Sequence, residues 1–151
     1  MAGTPFSTIF DQFMQFVTDY KLISLFNASL VDFETYLSGF LIPAITDFKI
    51  CNQSLTYSSS TFTETLTENN IKILSLLMKK YYLEKLIDDI TQMNLHVTDK
   101  DFKVYAEANN MLAKQKRLII EKEELSQLLV EYGLDNKNMW SNWYAGVFYV
   151  P

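Results

Sequence analysis

"ENNIKILSLLMKKYYLEKLIDDITQM", Glu68 to Met93, is the stretch that decides how the rest of the chain is read. Ile71, Leu74, Leu77, Met78 and Tyr81 recur at three- and four-residue steps on one side, with Ile73, Leu76, Leu83 and Ile90 spread around it. That recurrence is the period of an α-helix, in which such positions stack on a common face. A helix apolar on more than one side is normally surrounded by others, so this segment is expected at the centre of a bundle. Thr67 is placed to cap its start, and Glu68 suits the positive end of the helix dipole.

Upstream the same period returns. Phe6, Ile9, Phe10, Phe13, Phe16, Val17 and Tyr20 predict a first helix with an aromatic stripe, Thr4 as its cap and Pro5 in its first turn. Lys21 to Ser29 reads as a turn, with Asn27 or Ser29 as the cap of the next helix. That second helix is expected from about Leu30 to Phe48, on Phe33, Tyr36, Leu37, Phe40, Leu41, Ala44, Ile45 and Phe48. Pro43 should kink it near Gly39, which leaves one bent helix or two shorter ones. "CNQSLTYSSSTFTETLT", Cys51 to Thr67, is rich in Ser and Thr and reads as a loop or an extended hairpin-like arm. An irregular connection is the preferred reading. Its Leu55, Tyr57 and Phe62 are candidates for a subunit-contact loop.

Downstream, "TDKD" from Thr98 to Asp101 resembles a capping box with Asp101 in the usual Glu position. A fourth helix is expected to run from there to Tyr132, with Gly133 as the residue past its end. Phe102, Tyr105, Leu112, Ile119, Leu125, Leu128, Leu129 and Tyr132 form a sparser stripe, and Ala113 to Glu124 is strongly charged. About 34 residues at 1.5 Å each would span roughly 50 Å, long enough to extend beyond a globular body or to pack along a neighbour. The expected fold is therefore all-α: about four helices over residues 1–133, with one long C-terminal helix. An extended aromatic tail, 134–151, comes after it.

Composition limits what such a bundle does. In 151 residues the net charge is −5, hydrophobic residues make up 48% and aromatics 15%, with four Gly and three Pro. So few breakers favour helices over a many-stranded sandwich. An acidic chain lacks the basic face that drives phosphate-backbone binding by counterion release. Lys114, Lys116 and Arg117 are followed at once by Glu121, Glu123 and Glu124, which reads as a solvated, internally paired helix face. Neither a signal peptide nor an apolar run long enough to span a membrane is expected.

The residues that would carry chemistry are thinly spread. His96 is the one histidine and Cys51 the one cysteine, so neither a His-based metal site nor a disulfide is expected, and Cys51 reads as a half-buried structural thiol. Asp88 and Asp89 are adjacent on a helix and point about 100° apart, a poor arrangement for sharing a proton or a metal. There is no Gly-rich phosphate loop, nucleophile elbow or zinc-ligand spacing. The expectation is a non-enzyme with no cofactor and no metal.

The tail is the remaining feature. "NMWSNWYAGVFYVP" holds both tryptophans, and no charged residue lies beyond Lys137. Its own bundle, a membrane surface and another chain are the three things it can cover. Trp and Tyr suit a membrane interface, but the flanks lack basic residues. Another chain is the reading taken, with Met139, Trp140, Trp143, Tyr144, Val147, Phe148 and Tyr149 as docking residues.

Three stretches, "GTPFSTIFDQFMQFVTDYKL" (Gly3 to Leu22), "LTENNIKILSLLMKKYYL" (Leu66 to Leu83) and "VTDKDFKVYAEANNML" (Val97 to Leu112), resemble the head–tail connector or neck adaptor proteins of tailed bacteriophages. The resemblance covers about Gly3 to Tyr132 and leaves out the tail. It implies a non-catalytic virion protein, mainly helical, made in the host cytoplasm and placed in the neck between head and tail. It further implies a homo-oligomeric ring, generally twelvefold, beneath the portal, with a tail or second neck protein below. DNA would pass through the channel without specific binding, and a C-terminal segment commonly attaches to the portal. The alternatives are a tail-completion or other tail-assembly protein, or a soluble cytoplasmic protein that binds a host partner.

Overall fold

The computed structural model describes residues 3–96 and 101–136; within the helices, the side chains of 92–96, 101–108 and 136 are not described. It is an all-α bundle, with α1 Phe6–Phe16, α2 Tyr20–Ala28, α3 Leu30–Asp47, α4 Glu68–His96 and α5 Asp101–Asn136. A two-stranded hairpin, β1 Tyr57–Ser58 and β2 Thr61–Phe62, joins α3 to α4.

As its sequence pattern predicts, α4 is the central element, packing against α1, α3 and α5. Ile73, Leu74, Leu77 and Met78 are buried on it, and so is the polar Ser75, whose hydroxyl donates to the Ile71 carbonyl one turn back. Thr67 caps it, its Oγ1 accepting the Asn70 amide at 3.4 Å. From α1, Phe6, Ile9, Phe10 and Phe13 enter the same core. Phe13 and Phe40 both meet the Tyr82 ring edge-on, at 5.8 and 5.6 Å between centroids. Edge-to-face pairs place the positive ring rim on a negative ring face, which fixes orientation as well as burying area. One aromatic cluster thereby locks α1, α3 and α4 together.

Several boundaries differ from the sequence expectation. Thr4 does not cap α1: Pro5 holds that position in extended backbone, and Thr4 pairs with the segment around the hairpin instead. The expected turn at Lys21 to Ser29 is mostly the helix α2. Asp19 caps it by accepting the Lys21 amide at 2.8 Å, and buried Leu22 anchors it. Ser29 then caps α3 through the Asp32 amide, one of the two residues expected there. Because Asp19 and Ser29 are both capping residues, two short helices replace a helix and a turn. Pro43 lies inside a single α3. Lastly, α5 passes through Gly133 to Asn136; no described glycine has a positive φ, so Gly133 is a helix residue here and not a left-handed cap. His96, expected in a turn, is the last residue of α4.

Candidate docking surfaces

The Ser/Thr-rich segment is an irregular connection that contains a short hairpin. Tyr57 pairs with Phe62 and Ser58 with Thr61 around a two-residue turn at Ser59 and Ser60, whose φ values are 48° and 59°. Two consecutive left-handed residues match the twist of a tight hairpin, normally supplied by Asn-Gly. A Ser-Ser pair carries no such signature. The start of the chain completes the unit: Thr4 accepts the Phe62 amide at 2.8 Å and donates its own amide to Glu64 at 3.1 Å, and Phe6 donates to Ser60 at 2.9 Å. The Thr4 hydroxyl accepts the Leu66 amide at 2.8 Å. Gly3 is required by this approach, because a Cβ there would sit 1.6 Å from the Phe62 carbonyl oxygen.

That geometry changes what the candidate loop residues can do. Phe62 is 1% exposed and stacks on Phe6 at 5.1 Å, so it is a core residue and not a contact. Leu55 is half-buried against the same core. Tyr57 alone keeps a surface, at 42% exposure, while its ring also leans on Phe6. The candidate tail residues Met139, Trp140, Trp143, Tyr144, Val147, Phe148 and Tyr149 lie outside the described residues.

A polar clasp that sequence reading missed ties the segment before the hairpin to both ends of the long helices. Tyr132 from α5 is 3% exposed, and its hydroxyl lies 2.7 Å from Asn70 Oδ1 and 2.5 Å from Asn52 Oδ1. That hydroxyl accepts the Asn52 amide at 2.9 Å. Asn70, fully buried, donates through Nδ2 to Gln53 Oε1 at 2.7 Å and to Asn52 Oδ1 at 3.0 Å. Gln53 closes the circuit by accepting the Thr67 amide and donating to the Thr65 carbonyl. Burial raises the Tyr132 hydroxyl above its ordinary range, which keeps it neutral and able to donate. The aromatic contact of Tyr132 with Phe48, at 5.2 Å, seats the hydroxyl. Four side chains from three regions are thus satisfied together, which specifies a unique arrangement of the bundle end.

Along the α4–α5 seam, Lys79 and Glu121 form an ion pair at 2.5 Å, both largely covered, and Arg117 approaches the same carboxylate at 3.6 Å. Lys122 reaches Glu84 at 2.8 Å. Two open grooves flank the seam, of about 190 and 380 Å³; Leu125 contributes to both. Their walls are these ion-paired side chains and leucines, and the Glu121 carboxylate is already held by two cations. No group of three or more His, Cys, Asp or Glu side chains arranged to hold a metal occurs among the described residues.

The exposed apolar side chains are concentrated. Five of the large ones lie on α2 and the start of α3 (Tyr20, Ile23, Phe26, Leu30, Val31) and five on α5 (Leu112, Ile119, Ile120, Val130, Leu134). Only Ile42 and Tyr57 lie elsewhere among the described residues. At about 100° per residue, Leu112, Ile119, Val130 and Leu134 fall within a stripe roughly 60° wide. Buried Leu125 and Tyr132 lie on the opposite side of α5, so the stripe faces away from α4. It extends roughly 33 Å at 1.5 Å per residue. On α2, Phe26 packs edge-on against Phe33 at 5.2 Å, which holds half of its ring out in solvent. Among the described residues, no helix is long and apolar enough to cross a membrane.

Comparison of the chain with protein-family models, with curated proteins and with solved structures finds no match.

Proposed function

We propose that this chain is a structural subunit of a tailed-bacteriophage particle, a neck adaptor that assembles as a ring beneath the portal and continues the DNA channel. The observation that carries the reading is the pair of exposed apolar patches on a bundle whose own core is already closed. Apolar surface gathered in this way marks sites that other chains cover. The resemblance of Gly3–Leu22, Leu66–Leu83 and Val97–Leu112 to neck adaptors supplies the setting. The charge of −5 suits a channel wall, since an acidic subunit repeated around a ring repels the phosphate backbone and lets DNA slide. In this reading the aromatic tail, with Trp140 and Trp143, docks on the portal side of the neck.

Quantitative mass spectrometry of purified particles tests the proposal. The chain is expected in a fixed ring number of copies per particle, released with the neck when heads and tails are separated. Its absence from particles, with capture of a host protein from infected cells, would replace the virion reading by that of a free binding protein. Recovery with tails alone would move it to a tail-completion role.

A further inference from the structure

We infer that α5 is a strap that lifts off the bundle as one unit while α1 to α4 stay folded beneath it. This holds whether or not the chain sits in a phage neck. Apolar anchoring is sparse on α5. Nearly all of the buried core comes from residues 6–82, and among the described residues α5 adds only Leu125 and Tyr132. Met111, Leu118, Leu128 and Leu129 stay half-buried. By contrast α1, a helix of 11 residues, buries Phe6, Ile9, Phe10 and Phe13. The helix α4 packs against α1 and α3 as well as α5, whereas α5 packs chiefly against α4. Segments with few buried apolar contacts are the ones that open ahead of global unfolding.

The groups that fix α5 in place are mostly polar. Lys79–Glu121 and Lys122–Glu84 span the seam, and Tyr132 joins Asn52 and Asn70 at its end. Such groups exchange their partners for water on opening, so they set the register of the closed state more than they resist its opening. The open grooves of about 190 and 380 Å³ beside the seam leave α5 without packing atoms along both margins. Once lifted, a long charged helix without its tertiary partner is only marginally helical in water, and its amides exchange. Lifting also uncovers a thiol. The Tyr132 hydroxyl lies 3.9 Å from Sγ of Cys51, the one cysteine of the chain.

Peptide-resolved amide hydrogen exchange of the full-length chain under native conditions tests the strap, with alkylation of Cys51 by N-ethylmaleimide read alongside. In the native chain, amides from Leu112 to Tyr132 are expected to open at least ~100-fold more often than those of α1 and of Ile73 to Met78. Leu125→Ala empties the seam and should raise both α5 exchange and Cys51 alkylation about tenfold or more. Cys51 reports movement of the whole strap, since it lies beside Tyr132, about two helical turns from position 125. Ile9→Val weakens the body instead. Exchange in α1 should rise, while α5 exchange and Cys51 alkylation keep their native rates, because α5 lifts without α1 unfolding. An α5 protected as strongly as α1 overturns the proposal. So does an Ile9→Val chain in which α5 accelerates together with α1, which makes the molecule one cooperative unit. A response to Leu125→Ala that stays within its own turn, or that leaves Cys51 alkylation unchanged, reduces the opening to local fraying and overturns it too. A Leu125→Ala chain that loses its helicity altogether shows that the body needs α5, with the same result.

Discussion

Single hydroxyls and carboxylates carry an unusual share of the connections between helices. Tyr132→Phe keeps the ring on Phe48 but removes the hydroxyl shared with Asn52 and Asn70, so Asn70 Oδ1 loses its donor inside the bundle. Withdrawing one partner from a buried hydrogen bond costs about 1–3 kcal/mol, and at roughly 2–4 °C per kcal/mol in a domain of this size the melting temperature should fall by several degrees. A thermal melt within a degree of the native chain would mean that the clasp is dispensable. Asp47 gives a pH signature. The Tyr81 hydroxyl, 2.5 Å away, holds its carboxyl below the usual value; partial burial opposes this and Lys80 reinforces it. The folded-state value is depressed, so this contribution is present above pH 3.8 and is lost as pH falls through the lower folded value. The same bond, helped by burial, pushes Tyr81 up to about 12 from 10.0, so that its share is full below pH 10 and disappears between there and about pH 12. Asp19 and Tyr82 repeat the arrangement deeper in the bundle, where burial pushes the Asp19 carboxyl up but the Tyr82 hydroxyl and the Lys21 amide outweigh it. Urea unfolding across pH should show Asp47→Asn flattening the acid limb; an unchanged limb would exclude Asp47 as a contributor.

Elements are legible in proportion to how far their own residues determine them. The centre of α4 can be read because Ile73, Leu74, Leu77 and Met78 surround a helix, with no competing polar face. The aromatic face of α1 is legible for the same reason. Illegible features depend on partners distant in sequence. Ser59 and Ser60 take left-handed conformations where Phe62 packs against Phe6 and the Thr4 backbone pairs beside it. Gly133 reads as a terminator because glycine usually comes just past a helix end. In the fold α5 continues beyond it, with Ile50 lying alongside; a Cβ there would sit 3.7 Å from Ile50 Cδ1, an ordinary contact. The two cases predict opposite signs. Inside a helix, Gly133→Ala should stabilise by about 0.5–1 kcal/mol, because alanine loses less backbone freedom on folding. At a left-handed cap it would destabilise by about as much. Chemical denaturation of the alanine variant decides it, and a net loss of stability would end α5 at Tyr132.

On the scale of the whole molecule, the described core runs from Phe6 on α1 to Tyr132 on α5. Leu125 and Tyr132 already close the bundle against α4, and the clasp joins its end to the Asn52–Gln53 segment. Removing Met139 to Pro151 should therefore leave helicity unchanged and the melting temperature within a few degrees, while attachment to the particle is lost. The tail also contains its own reporter, because both tryptophans of the chain are Trp140 and Trp143. Tryptophan emission moves to shorter wavelength when the indole leaves water, so a blue shift on assembly with a portal-bearing head would report docking of this segment and nothing else in the chain. Aromatic anchors carry much of the binding energy at interfaces, so on the proposed docking role Trp140→Ala with Trp143→Ala should weaken attachment by more than tenfold, about 1.4 kcal/mol or more. If the truncated chain instead unfolds, the tail belongs to the bundle's core, and the docking role passes to the helical patches alone.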